Sequence, residues 1–284
     1  MFICPQNVAD SDNVSPIPRS LKGNPVYSEE MKIYLAGVES KLHNKQITGQ
    51  VYSNPGEILV LGSFFGISQR NQKMYSSLLP CFKDFMLDSG AYSFMNSQSV
   101  ERNWDSYLEK YAAYVKEHKV EKYFELDIDS IVGYDKVKEY RAIIERMVNR
   151  PCIPVWHRSR GYEEFLRLCD EYSYVALGGI AIRHIRRTEY QYFTQLIKEA
   201  HRRNCKIHAL GFTNLSELRK YHFDSVDSST WTCGGRYGNI YKFSNGRMRV
   251  ITRNDNMRVS DIRGIDGFNF VEWVKFQKYS EVHM

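Results

Sequence analysis

Three short stretches place an aspartate directly behind an apolar run: "MLDSGAYS" (86–93) with Asp88, "FELDIDS" (124–130) with Asp127 and Asp129, and "SVDSSTW" (225–231) with Asp227. A carboxylate resists burial, so an apolar run that ends in one marks a turn, a helix N-cap or a place where charge serves chemistry. Carboxylates gathered at one site can act as acid, base or nucleophile. For any one of these aspartates the cap or turn reading competes with catalysis. Asp88 and Asp227 each sit in an apolar-Asp-Ser sequence on different segments, which makes coincidence less comfortable. His157 and His208 are isolated, and each reads first as a hydrogen-bonded structural histidine.

Positioning such residues requires strands that end together. Eight apolar, β-branched or aromatic runs bounded by turn signals follow one another: "KIYLAG" (32–37), "EILVLGSFF" (57–65), "DFMLDSG" (84–90), "KYFELDI" (122–128), "CIPVWH" (152–157), "YVALGG" (174–179), "KIHALGF" (206–212) and "SVDSSTW" (225–231). Helical periodicity fills most of the gaps. It puts Trp104, Leu108, Tyr111 and Val115 on one face, and Val137, Tyr140, Ile144 and Met147 on another. Segments 161–172, 189–204 and 213–221 read likewise, the last from a Thr-Asn cap signal, while the first two connections are less regular.

Strict alternation predicts a parallel sheet, and eight units over roughly 200 residues fit a (β/α)8 TIM barrel. A doubly wound dinucleotide fold has no support, because no G-x-G-x-x-G follows the first strand. In a barrel the chemistry sits at the C-terminal strand ends. Those ends carry Asp88, Asp127 with Asp129, His157, Gly178 and Gly179, Gly211 and Asp227. The expected organisation is one domain over 1–284: an N-terminal arm (1–30), the barrel (31–231), and a C-terminal loop, hairpin and helix (232–284). "IYKF" and "MRVI" flank Asn-Gly as a hairpin, and "GFNFVEWVKFQKY" reads as the final helix.

The chain has 43% hydrophobic and 25% charged residues, the balance of a globular protein with a real core. No run approaches the roughly 18 apolar residues of a membrane span, and the first residues lack a secretory signal, so a cytoplasmic location is expected. The six cysteines are scattered, with no C-x-x-C pair, and read as reduced thiols. Net charge is only +6, but basic residues cluster at 157–160, 182–187, 201–203 and 245–258. Each cluster alone reads as a solvated face. Together with 14% aromatic residues, the set fits a surface that neutralises phosphates and stacks bases.

The succession "LDSGAYS", "LDID", "ALGGIA", "HALGFTNLSEL", "SVDSSTW", from about residue 84 to residue 231, resembles the tRNA-guanine transglycosylases. It is more similar to their DNA-modifying relatives, the DNA 7-deazaguanine transglycosylases of phages and bacterial modification islands. The resemblance implies exchange of guanine in a nucleic acid for a 7-deazaguanine base, in a bacterial or phage-infected cell. It places the general acid/base on Asp88, within Asp88-Ser89-Gly90, and the nucleophile on Asp227, with Asp224 as the competing register. Base recognition falls on Asp127, or on Asp129 in the other register, and backbone contacts to the base fall on Gly178, Gly179 and Gly211. Tyr92 is offered as a base sandwich, and His157 stands near the place of a base-reading glutamine. Trp156 reads as barrel packing.

What the resemblance implies about partners is DNA, with tRNA as the alternative; the basic clusters offer the expected phosphate contacts, from Arg158, Arg160, Arg183, Arg186, Arg187, Arg236, Arg247 and Arg249. No cofactor and no metal are expected. The tRNA enzymes carry zinc on three cysteines and a histidine after the last strand, where this chain offers only Cys233. The competing functions are a base-releasing glycosylase, a metal-dependent barrel hydrolase and a non-catalytic nucleic-acid-binding barrel. The hydrolase usually opens with two histidines on one strand, and "KIYLAG" has none.

Overall fold

A computed structural model describes residues 30–91, 93, 103–182, 184–252 and 261–284, with the side chains at 235 and 236 excepted. The expected arm lies outside them but for its last residue.

All eight expected strands form, and all run parallel: β1 (Lys32–Ala36), β2 (Ile58–Ser63), β3 (Phe82–Asp88), β4 (Lys122–Tyr123), β5 (Val155–Trp156), β6 (Tyr174–Leu177), β7 (Lys206–Ala209) and β8 (Ser225–Ser228). Their order, β4-β3-β2-β1-β8-β7-β6-β5, is that of a barrel opened between β4 and β5. The bridge Phe124↔Ile153 spans that opening, with Ile153 N–H on the Tyr123 carbonyl and Glu125 N–H on the Ile153 carbonyl. The fold is therefore a (β/α)8 barrel. β4 and β5 are two residues each. Pro154 has no N–H to give the ladder, which limits β5.

Side chains of alternate residues fill the barrel: Tyr34, Leu59, Leu61, Met86, Phe124, Ile153, Val155 and Ala176 form an inner core separate from the larger one under the helices. On β3 the inward positions Met86 and Asp88 share one face, so the run delivers its carboxylate to the mouth.

The helices are α1 (Lys45–Ser53), α2 (Phe64–Ser68), α3 (Gln72–Ser76), α4 (Trp104–Glu117), α5 (Asp129–Val132), α6 (Tyr134–Val148), α7 (Tyr162–Glu171), α8 (Phe193–Arg202), α9 (Gly234–Tyr237) and α10 (Ile262–His283). Trp104, Leu108, Tyr111 and Val115 are all buried on α4, as their spacing predicts. On α6 Met147 is 39% exposed, a correction to its place in the stripe, while Val137, Tyr140 and Ile144 are buried. The helix expected over 213–221 is a run of turns. The Asn214 side chain accepts from Ser216, and Tyr221 is drawn into an aromatic cluster with Phe193 and Phe212, leaving too few residues to propagate a helix.

After β8 the chain forms a hairpin, β9 (Ile240–Ser244) with β10 (Arg247–Ile251), turning at Asn245-Gly246. Both turn residues have positive φ, 51° and 70°, as a two-residue hairpin of this kind needs. α10 closes the wall. Its buried Gln277 bonds the Ile33 carbonyl and both backbone groups of Leu59, and Asn269 and Glu272 accept the Tyr241 and Phe243 N–H groups of β9. Among the described residues no helix is long and apolar enough to cross a membrane.

Candidate active site

Asp227 lies on β8 at the mouth, 8% exposed. Its Oδ1 accepts from the Gly211 N–H at 2.6 Å and faces His208 Nε2 at 3.3 Å. Gly211 has φ of 69°, and a Cβ there would meet Ala181 Cβ at 2.7 Å, so glycine is required for the turn that aims this N–H. Asp224 sits three residues earlier, at the entrance to β8 and hence the opposite end of the barrel. Its Oδ2 accepts from His201 Nε2 and the Ile207 N–H, both at 2.8 Å, a structural anchor. Geometry thus puts Asp227, and not Asp224, at the mouth.

Asp88 ends β3, directly in register with Ser63 of β2. Burial pushes its carboxyl up to about 7, against the Gly90 N–H that bonds Oδ2 at 2.8 Å, and the charges of Asp227 and Asp127 push the same way. Three of the strand-end carboxylates therefore feel one another. Ser89 is buried, its carbonyl held by the Tyr107 hydroxyl. Gly90 has φ of 69°, and a Cβ would meet Phe65 Cβ and Ser63 Oγ at 2.6 Å.

A fifth carboxylate was missed. Glu39 follows β1 in a 3-10 turn (Val38–Lys41), is 8% exposed, and leaves Oε2 without a hydrogen bond. Burial pushes it up to about 7, its own backbone N–H and the Arg70 charge oppose this, and Asp88 adds to it. The signal was present, since "KIYLAGVES" also carries an acid soon after a strand end.

Asp127 and Asp129 are drawn into an ion network. His157 Nε2 lies 2.8 Å from both oxygens of Asp127, and Arg160 reaches Asp129 Oδ2 at 3.0 Å and Asp127 Oδ1 at 3.3 Å. Behind them the fully buried Glu125 accepts from Arg160 at 2.9 Å, Arg141 at 2.6 Å and the Val155 N–H at 2.9 Å. Burial alone would push His157 down, yet the bond and charge of Asp127 outweigh it and hold the imidazole above its ordinary value. Gly178 makes room for that ring, since a Cβ there would stand 2.5 Å from His157 Cε1. Gly179, with φ of 82°, would stand 3.5 Å from its Nδ1. Both glycines thus back His157, which in turn orients Asp127. Trp156 is buried against Phe165, with its Nε1–H on the Gly161 carbonyl.

Arg160 is a correction to the expected phosphate contacts. Its side chain is 2% exposed and lies over the Tyr134 ring, 4.2 Å from the centroid. It neutralises Glu125, a partner that only the fold brings near. Arg160→Ala is expected to cost about 3–5 kcal/mol in urea unfolding, because Glu125 keeps its burial and loses a cation. Arg158 is partly exposed and paired with Glu189. Tyr92 and Arg183 lie outside the described residues, as does the Arg236 side chain.

Arg186, Arg187 and Arg247 are exposed and line one groove with Arg219, which sequence reasoning missed. The groove has a volume of about 1190 Å³ and starts at Gly211 and Thr230, beside Asp227. Among the described residues no acidic side chain lines it, and Tyr190, Leu215, Met248 and Phe276 supply an apolar floor. Arg219 ties the groove to the hairpin, bonding the Gly246 carbonyl at 2.7 Å. Arg249 is exposed on the same hairpin outside the lining.

The fold and mouth define a (β/α)8 barrel with an acidic centre. A protein described as a fructose-1,6-biphosphate aldolase from Coccidioides immitis is similar in architecture, with a TM-score of 0.51 and 8% identity, over 90% of this chain and 91% of that one. The carboxyl transferase domain of Rhizobium etli pyruvate carboxylase, solved with pyruvate, aligns with a TM-score of 0.49 and 12% identity over 90% of this chain. This chain spans about half of that domain's length, 49%. These likenesses concern the fold alone. No protein-family model matches the chain, and no curated protein matches it.

Proposed function

We propose that this protein is a base-exchanging transglycosylase that replaces guanine in DNA with a 7-deazaguanine base through a covalent Asp227–deoxyribose intermediate. The observation that carries the reading is the pair at the mouth: Asp88 is raised to about 7, while Asp227 is held by a backbone N–H. One carboxyl is suited to hold a proton and the other, with a backbone N–H on one oxygen, to act as nucleophile, the division of labour that glycosidic chemistry needs.

In the first half-reaction Asp227 bonds C1′ as the C1′–N bond breaks, and the Asp88 proton passes to the leaving guanine. In the second, the incoming base gives its ring N–H proton to Asp88 and attacks C1′, releasing Asp227. Two inversions retain the sugar configuration. Asp127, oriented by His157, is placed to accept from the N1–H and amine of the base. Incubation with labelled 7-deazaguanine and either DNA or tRNA, followed by digestion to nucleosides, tests this. Label in DNA with guanine released is expected. Label in RNA alone overturns the DNA assignment, release without incorporation makes the protein a glycosylase, and neither leaves a binding barrel.

The groove supports the polymer half of the proposal, because its four arginines, with no acidic side chain among the described lining residues, suit a phosphate backbone. Its volume also exceeds the roughly 300–1,000 Å³ usual for small ligands. Arg187→Ala and Arg247→Ala should each flatten the log-log salt dependence of DNA affinity by about one unit. An unchanged slope in both would remove the groove from the binding path.

Metal is the second reading to test. Asp127, Asp129 and His157 have donor spacing for a cation, and they are the one such group among the described residues. Arg160 occupies two of these carboxylates and His157 is turned onto Asp127. Among the described residues Cys233 belongs to no group of three metal-ligating side chains, so the zinc set of the tRNA enzymes does not fit them. Exchange activity is therefore expected to survive chelation. Stoichiometric zinc whose removal stops exchange would contradict this, and zinc-dependent hydrolysis without exchange would favour the hydrolase.

A further inference from the structure

We infer that His208 is a positioning residue for Asp227, locked as its Nε2–H tautomer by a buried hydrogen-bond chain through Ser225 and Tyr174, so that Asp227 attacks through Oδ2. The inference rests on the proposed role of Asp227 as nucleophile. His208 is fully buried at the barrel axis, edge-on to Tyr34 with ring centroids 6.2 Å apart and tilted against Phe124 at 5.4 Å. Its Nε2 faces Asp227 Oδ1 at 3.3 Å, its Nδ1 meets Ser225 Oγ, and Ser225 Oγ lies 2.5 Å from the Tyr174 hydroxyl.

The direction of the chain follows from hydrogen counting. An ionised Asp227 only accepts, so Nε2 must carry the hydrogen. In a neutral ring Nδ1 then only accepts, and Ser225 must donate to it. Ser225 has a single hydrogen, so Tyr174 must donate to Ser225. Burial holds the Tyr174 phenol in its protonated form, well above its ordinary value, which suits a terminal donor.

Every group in the chain is used once, and the chain has one polarity. Among the described residues both donors to Asp227, the Gly211 N–H and the His208 Nε2–H, reach Oδ1. The second oxygen is left to form the bond to C1′. The 3.3 Å separation is at the long end of a hydrogen bond, as is common in a catalytic site before substrate is bound.

Long-range proton–nitrogen NMR of histidine-labelled protein at pH 8, with His208 assigned by its loss in His208→Gln, reads the tautomer without any reaction. Protonated Nε2 and bare Nδ1 are expected, with mixed tautomers in Ser225→Ala. Protonation at Nδ1, or no response to Ser225→Ala, overturns the inference. In base exchange, His208→Gln can still offer an N–H to Oδ1 and should keep kcat within about fivefold. His208→Leu should lower kcat by roughly 10- to 100-fold with the KM for DNA unchanged.

Equal losses in the two variants, or a change confined to KM, would make the histidine merely structural. If His208→Leu does not fold, the tautomer and the Gln variant still decide. The expected tautomer in a protein that exchanges no base would leave the chain standing and sink the proposed function instead.

Discussion

Asp227→Ala is expected to eliminate base exchange, by roughly 10⁴-fold or more, and to yield a folded barrel. The loss is large because no other carboxylate among the described residues stands where Asp227 does, with N–H donors on one oxygen and the mouth beyond the other. The fold survives because the substitution strands only the Gly211 N–H and the His208 Nε2–H, at a cost of about 1–3 kcal/mol. It also removes a charge that opposes Asp88. Asp224→Ala should do the reverse. It releases His201 and the Ile207 N–H, lowers stability and leaves the chemistry.

A trapped protein–DNA adduct decides between them. Both aspartates fall in one tryptic peptide, from Tyr221 to Arg236, so fragment ions must locate the modification. A sugar on Asp224 would refute the assignment, and none on either would remove the covalent mechanism.

The strands were legible because a parallel barrel buries both faces of each, and buried strands read as unbroken apolar runs. The carboxylates were legible for the same reason, as the one feature such a run does not tolerate without cause. Even the choice of Asp227 over Asp224 follows from the strand, since three residues of β8 carry the chain from one barrel end towards the other. What could not be read was pairing across the fold. Arg158 and Arg160 are alike in sequence, yet one is partly exposed and the other is buried, because Glu125 from β4's extension reaches the second. The groove is assembled from the loops after β6 and β7 and from the hairpin, and no local pattern announces Arg219 as its member. His208 reads as a lone histidine until Ser225 and Asp227, two residues apart on the neighbouring strand, flank both its nitrogens.

Asp88→Asn is expected to stop exchange and at the same time to stabilise the protein above neutral pH. Asparagine cannot pass a proton to the leaving guanine, so covalent adduct formation falls by roughly 10²- to 10⁴-fold. Stability moves the other way. The folded carboxyl titrates at about 7 against an ordinary 3.8, so between those values the native state holds a proton that the unfolded chain has released. Stability conferred on the wild type by that proton is full below about pH 4, declines as pH rises, and is gone above 7. The whole difference corresponds to roughly 4 kcal/mol, which partial solvent access reduces. Asparagine has no such dependence. Urea unfolding at pH 4 should therefore find the two proteins close, and at pH 8 the variant should be the more stable by about 2–4 kcal/mol.

A variant less stable than wild type at pH 8 would mean that Asp88 is ionised at no cost and is unsuited to be the acid. Removing Asp227 as well should narrow the gap, because one of the charges that raises Asp88 is then missing. The same proton links the two measurements. Single-turnover adduct formation by the wild type should decline as pH passes about 7, the range in which its stability has finished falling.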